Sequence, residues 1–173
     1  MKKGFEFLLT EITPKILVEA VKLYGVEETI GSKSNPVIIQ WAKDLNIKEY
    51  NDDAIPWCGL FIAKVVANAG KDIVKGPLWA QNWLNYGVAI DEAMLGDILV
   101  FKRTGGGHVA IYVGEDNDRY YCVGGNQGDK VSITPIAKNR CIGIRRTKWS
   151  VAQPANVRKV IINLTDLSST NEQ

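Results

Sequence analysis

Gly105-Gly106-Gly107-His108-Val109-Ala110-Ile111-Tyr112-Val113 joins three glycines, the only histidine of a 173-residue chain and an unbroken apolar run. An apolar run of this length behind a glycine turn reads as a buried strand. A histidine at its start stands on a rigid platform, and the glycines before it let another molecule approach closely. Similar runs follow or precede it: Asp97 to Phe101, Tyr120 to Val123, Val131 to Ile133 and Ile142 to Ile144. Turns rich in Gly, Asn and Asp separate them, which predicts an antiparallel meander.

The first half has a different period. Ile16, Ala20, Val21 and Tyr24 recur at helical spacing after Thr13-Pro14, and Gly25 ends the run. Ser34 or Asn35 can cap a second helix carrying Val37, Ile38, Trp41 and Ala42. Trp57 to Ala69 reads as a largely buried helix closed by Gly70, and a fourth is expected from about Pro77 to Leu84. Helices first and strands second give an α+β fold, with N-terminal helices packed on a C-terminal antiparallel sheet. The expected organisation is a leader over 1–13, one domain over 14–149 and an extension over 150–173. Val157 to Leu164 can add a strand, and Ser168 to Gln173 are expected to be disordered.

Hydrophobic residues make up 46% of the chain, enough for a packed core, and 21 basic against 19 acidic residues leave a net charge of +2. That balance carries no nucleic-acid footprint and no polybasic membrane patch. Glu6 and Glu11 break the apolar stretch after Met1-Lys2-Lys3, so no signal peptide is expected. The chain is expected to be made in the cytoplasm. Cys58, Cys122 and Cys141 are scattered, and with one histidine they make a poor metal-ligand supply. No metal and no cofactor is expected. Cys122 and Cys141 lie in strand-like runs and read as buried thiols, with a disulfide between them as the alternative.

Cys58 stands in Ile55-Pro56-Trp57-Cys58-Gly59-Leu60-Phe61, at the predicted start of a helix. The unpaired N–H groups and partial positive charge of a helix N-terminus favour a thiolate. Burial as an ordinary helix residue is the plain alternative. His108 is the single imidazole that can serve as its base. Asn126, in Gly124-Gly125-Asn126-Gln127-Gly128, ends the next strand and can orient the ring, with Gln127 and Asp129 as competitors. Trp57, Trp79 and Trp83 are candidate walls of a substrate groove, or simply core residues.

In combination, Pro56-Trp57-Cys58, Gly96-Asp97-Ile98-Leu99-Val100-Phe101, Gly107-His108-Val109-Ala110-Ile111-Tyr112-Val113-Gly114 and Gly124-Gly125-Asn126-Gln127 resemble the papain-like cysteine hydrolases of the NlpC and CHAP type. Gly25-Val26-Glu27-Glu28 and Ser34-Asn35-Pro36 are similar to a bacterial and phage branch of that group. The resemblance runs from about residue 15 to Arg146. It implies a hydrolase of amide bonds in the peptide part of peptidoglycan, with Cys58 as nucleophile, His108 as base and Asn126 at the polar third position. Many CHAP proteins carry a Glu two residues before such an Asn; that position here is Gly124. The implied substrate partner is peptidoglycan, outside the cytoplasm. A monomer is expected, with a helper, delivery or immunity protein as partner; a phage lysin, a delivered effector and a cytoplasmic recycling enzyme all fit the sequence. A non-catalytic wall-binding module and an acyltransferase on the same dyad are the rival readings.

Overall fold

The computed structural model describes residues 1–31, 33–149 and 152–163. Four helices precede the sheet: α1 (Phe7–Thr10), α2 (Lys15–Lys22), α3 (Pro36–Asp44) and α4 (Cys58–Asn68). Asn35 caps α3 by accepting from the Val37 N–H at 2.8 Å, and Pro36 follows at the first helical position. The segment expected as a fourth long helix is a 3-10 turn, Ala80–Asn85. From that turn the Trp83 indole N–H donates back to the Pro77 carbonyl, at 2.9 Å.

The six strands are β1 (Val88–Ile90), β2 (Ile98–Arg103), β3 (Gly106–Glu115), β4 (Arg119–Gly124), β5 (Ser132–Ala137) and β6 (Cys141–Arg146). They form one antiparallel sheet in the order β1-β6-β2-β3-β4-β5. The meander from β2 to β5 is as the sequence predicts. β6 then returns to the free edge of β2. β1 is too short and too exposed to carry a hydrophobic signature. Val157 to Leu164 does not form a ladder strand over its described part: Ile161 makes an isolated bridge to Glu115, and Val157 and Ile162 are buried. Leu164 and Ser168 to Gln173 lie outside the described residues.

Period-two alternation gives the sheet two apolar faces. Ile98, Val100, Val109, Ile111 and Val113 join the helices in the main core. Leu99, Phe101, Ala110, Tyr112 and Cys122 form a second cluster. Both faces being covered explains why the β3 run is apolar without interruption. The 1–13 segment also packs: Phe5 and Leu8 are buried, and the Phe5 ring lies 5.6 Å from that of Tyr121. Cys58, Cys122 and Cys141 are all free thiols.

Asp97 opens β2 as more than a turn residue. Its carboxylate is buried and accepts a two-pronged contact from Arg146 on β6, Nε at 2.9 Å and Nη2 at 2.7 Å. It also accepts from the Met94 N–H. Burial lifts its pKa above the usual carboxylate value, and the guanidinium opposes that rise. Such a pair fixes a strand register more than it adds net stability. Asp97→Ala, which strands the guanidinium, is expected to destabilise the fold by about 3–5 kcal/mol in urea titration. The apolar double replacement Asp97→Leu with Arg146→Met is expected to cost less than that single change.

Candidate active site

Cys58 is the first residue of α4, and its thiol is buried. The main-chain N–H of Val109 approaches the sulfur, as do those of Gly59 and Cys58 itself. Helix α4 therefore presents Cys58 to β3 one residue from His108. The expected thiolate is not the resting form. Burial pushes the Cys58 thiol above its ordinary pKa, and outweighs the N–H groups and the Arg103 charge that pull it down. His108 is buried too. Burial pulls its imidazole below the usual value, Gln127 opposes this, and Arg103 and Arg140 add to the depression. Thiol and imidazole thus both rest neutral near pH 7.

His108 pairs with Phe101 across the β2–β3 ladder and stacks on its ring, 6.5 Å between centroids. Its Nε2 lies 3.0 Å from Oε1 of Gln127. The amide nitrogen of Gln127 donates to the carbonyls of Cys122 and Ser132. Those two acceptors turn the amide oxygen toward the ring, so Nε2 carries the proton and donates. Nδ1 is then the unprotonated, basic nitrogen. The tautomer follows from two backbone carbonyls acting through one glutamine.

Asn126, expected beside His108, is directed elsewhere. It has φ of 55°, a left-handed conformation that Asn tolerates, and its Nδ2 donates to Glu28 Oε1 at 2.6 Å. The same Glu28 oxygen accepts from the Trp57 indole at 2.6 Å. Glu28 thus ties the residue before Cys58 to the residue before Gln127. Gly124 explains the exchange of partners. A Cβ there would lie 2.9 Å from the Gln127 amide oxygen and 3.0 Å from Ala110 Cβ. A side chain at 124 and the Gln127 amide compete for one space, and in this chain Gln127 occupies it.

Of the three tryptophans, Trp57 and Trp83 are wholly buried and so present no face to a ligand, and each indole N–H has an internal acceptor. Trp79 is 75% exposed. In the loop before Cys58, Asp53 is committed to the Asn35 and Thr29 N–H groups and Asp52 to the Ala54 N–H. Glu28 enters the sequence reading only within Gly25-Val26-Glu27-Glu28, as part of a family resemblance; nothing in its residue type marks it as the bridge between Trp57 and Asn126.

No protein-family model matches the sequence, and no curated protein matches it. Solved structures do. The peptidoglycan hydrolase RipB of Mycobacterium tuberculosis superposes with a TM-score of 0.50 at 19% identity, over 86% of this chain and 70% of that one. The fold is of the NlpC/P60 type. A lipoprotein-like protein of the NLP/P60 family from Staphylococcus aureus gives 0.46 at 21% identity, over 94% of this chain. This chain spans 43% of that protein's length. The P60 domain of an antigen from M. avium subspecies paratuberculosis gives 0.48 at 20% identity, over 76% and 91% of the two chains.

Two measurements probe this geometry. A raised thiol pKa means less thiolate near pH 7 than in free cysteine. Alkylation of Cys58 by iodoacetamide, read by mass spectrometry of its peptide, is therefore expected to be slower than in the urea-unfolded chain and to climb through pH 9. A flat rate over about pH 5 to 8 would mark an ion pair instead. Glu28→Ala removes the shared acceptor and is expected to cost about 1–3 kcal/mol in urea unfolding, with Glu28→Gln, which keeps an amide oxygen, recovering much of it.

Proposed function

We propose that this chain is a cysteine hydrolase that cuts an amide bond in the stem peptide or crosslink of peptidoglycan. The observation that carries this reading is the Gln127–His108 contact, which leaves Nδ1 of the chain's one imidazole basic while the Cys58 sulfur sits against the next residue of β3. The NlpC/P60-type fold adds the substrate class, through a structural neighbour described as a peptidoglycan hydrolase.

The chemistry runs from a neutral pair. Nδ1 of His108 takes the thiol proton as Sγ attacks the scissile carbonyl, so that the charged nucleophile forms only when it is used. Main-chain N–H groups at the first turn of α4 have no intrahelical acceptor and stabilise the oxyanion. The C–N bond breaks, and His108 returns the proton to the leaving amine. Water then gives one proton to Nδ1 as it attacks the thioester, the C–S bond breaks, the imidazolium returns that proton to the leaving thiolate, and the acid released loses its own proton to solvent. Gln127 holds the ring and its tautomer, and Asn126 acts through Glu28 as a positioning residue. Trp79 supplies an exposed apolar face to the sugar or peptide. On this reading the protein acts on the cell wall.

The deep burial of Cys58 supports a second reading, a wall-binding module with no turnover. Muropeptide digestion followed by mass spectrometry separates the two. The hydrolase reading expects new termini at one amide bond, none with Cys58→Ala, a rate loss of about 10²–10⁴ with His108→Ala, and a smaller loss with Gln127→Ala. Sacculus binding without released products would establish the module. Products lengthened by an amine would show acyl transfer.

A further inference from the structure

We propose that a cleft at the opposite end of α4 from Cys58 is a second binding site, one that takes the carboxy-terminal residue of a peptide. Cys58 opens α4, and Ala69, just past its last residue, lines the cleft. The helix is 11 residues long, a rise of about 16 Å. The cleft is therefore separate from the thiol and the imidazole, and the site stands independently of the hydrolase reading. Its volume is about 290 Å³, near the lower end of the roughly 300–1,000 Å³ usual for small-molecule sites. That is room for an amino-acid-sized ligand, not for a folded partner.

Pro14, Ile16, Leu95, Pro154 and Val157 give the cleft an apolar wall. Such a wall alone would hold any apolar molecule; its polar groups narrow the choice. The Trp149 indole N–H and the Asn156 side-chain oxygen, both from lining residues, are buried with no hydrogen-bond partner among the described residues. Buried polar groups are rarely left so. One is a donor and the other an acceptor, the complement of the C=O and N–H of a single amide. Both side chains are half-buried, and turning either atom toward the cleft breaks no hydrogen bond of that atom. Charge completes the description. Asp97 and Arg146 line the cleft but neutralise each other. Lys15 and Lys71 line it as well, and neither has an acidic partner among the described residues, whereas Lys22, Lys64, Lys138 and Lys159 each do. The Lys71 ammonium stands 5.8 Å from the centre of the Trp149 ring, which sets this cation beside the unanswered indole N–H. An apolar side chain, one amide and one negative charge within a few bonds of each other are what the last residue of a peptide offers.

The test is a titration of the full, nitrogen-15-labelled chain with N-acetyl-L-leucine, read from the indole N–H resonances by NMR. The resonance lost in Trp149→Phe is that of Trp149. It is expected to move saturably, with a Kd of about 1 mM or tighter. N-acetyl-L-leucinamide, which lacks the charge, and N-acetylglycine, which lacks the side chain, are each expected to bind about fivefold or more weakly than the acid. Lys15→Gln together with Lys71→Gln is expected to bring the acid down to the affinity of the amide without moving the thermal midpoint. Asn156→Ala is expected to weaken acid and amide alike. No saturable shift up to about 10 mM, ten times that Kd, overturns the site, as does a shift confined to other indoles. Equal affinity for acid and amide, or a preference that survives the lysine changes, overturns the carboxylate contact and with it the proposal. Acetate binding as tightly as N-acetyl-L-leucine would reduce the cleft to an anion patch and overturn it too.

Discussion

Helix α4 begins in a space with no room for one more carbon. A Cβ on Gly59 would run into the main chain at Pro77 and lie 2.6 Å from the Leu78 carbonyl oxygen. On the other side, a Cβ on Gly125 would lie 2.7 Å from the Trp57 ring and 2.6 Å from Phe61 Cβ. The 76–79 segment and the 124–130 loop therefore close on the first turn of α4 from two directions. This double closure sets where Cys58 meets β3. The thiol at that meeting point is buried, and burial couples its place in the fold to its protonation state.

That coupling changes how a helix N-terminus should be read. Unpaired N–H groups do face the sulfur and do favour its anion. In water they would dominate; under a closed loop the loss of solvation is larger. The same environment lowers the imidazole pKa, so neither partner is charged at rest. Which ring nitrogen carries the proton is set by the Gln127 amide, locked by the Cys122 and Ser132 carbonyls, whose oxygen faces Nε2.

Much of this arrangement was legible in the sequence, for reasons that can be named. The core strands and α2 to α4 follow from apolar periodicity and from caps such as Asn35-Pro36. Cys58 and His108 stood out because one residue type was unique and both opened buried elements. What escaped were features set by tertiary contacts. Ala80–Asn85 is a 3-10 turn whose Trp83 indole bonds back to the Pro77 carbonyl, a tertiary contact no period records. Trp57 looked able to line a groove, yet its indole is turned inward to Glu28. Asn126 and Gln127 are adjacent amides, and choosing between them required the backbone: a φ of 55° at Asn126 turns its side chain toward Glu28.

Glu28 shows how far from the chemistry such a choice can be made. It lies in the segment after α2, where the Gly25 N–H donates to the Val131 carbonyl and the Val131 N–H to the Val26 carbonyl. The Glu28 N–H donates to the Asp129 carbonyl in the same edge contact. The segment thus braces the 124–130 loop through its main chain, while the carboxylate reaches inward to Asn126 and Trp57. Without that reach, Asn126 would have no reason to leave the imidazole side of the loop. With it, the next residue is the one presented to His108, and the empty Cβ position of Gly124 lets it arrive. The amide at the His108 ring is therefore the longer one of the neighbouring residue, with a carboxylate on a remote turn holding Asn126 and the missing side chain at Gly124 leaving room for Gln127.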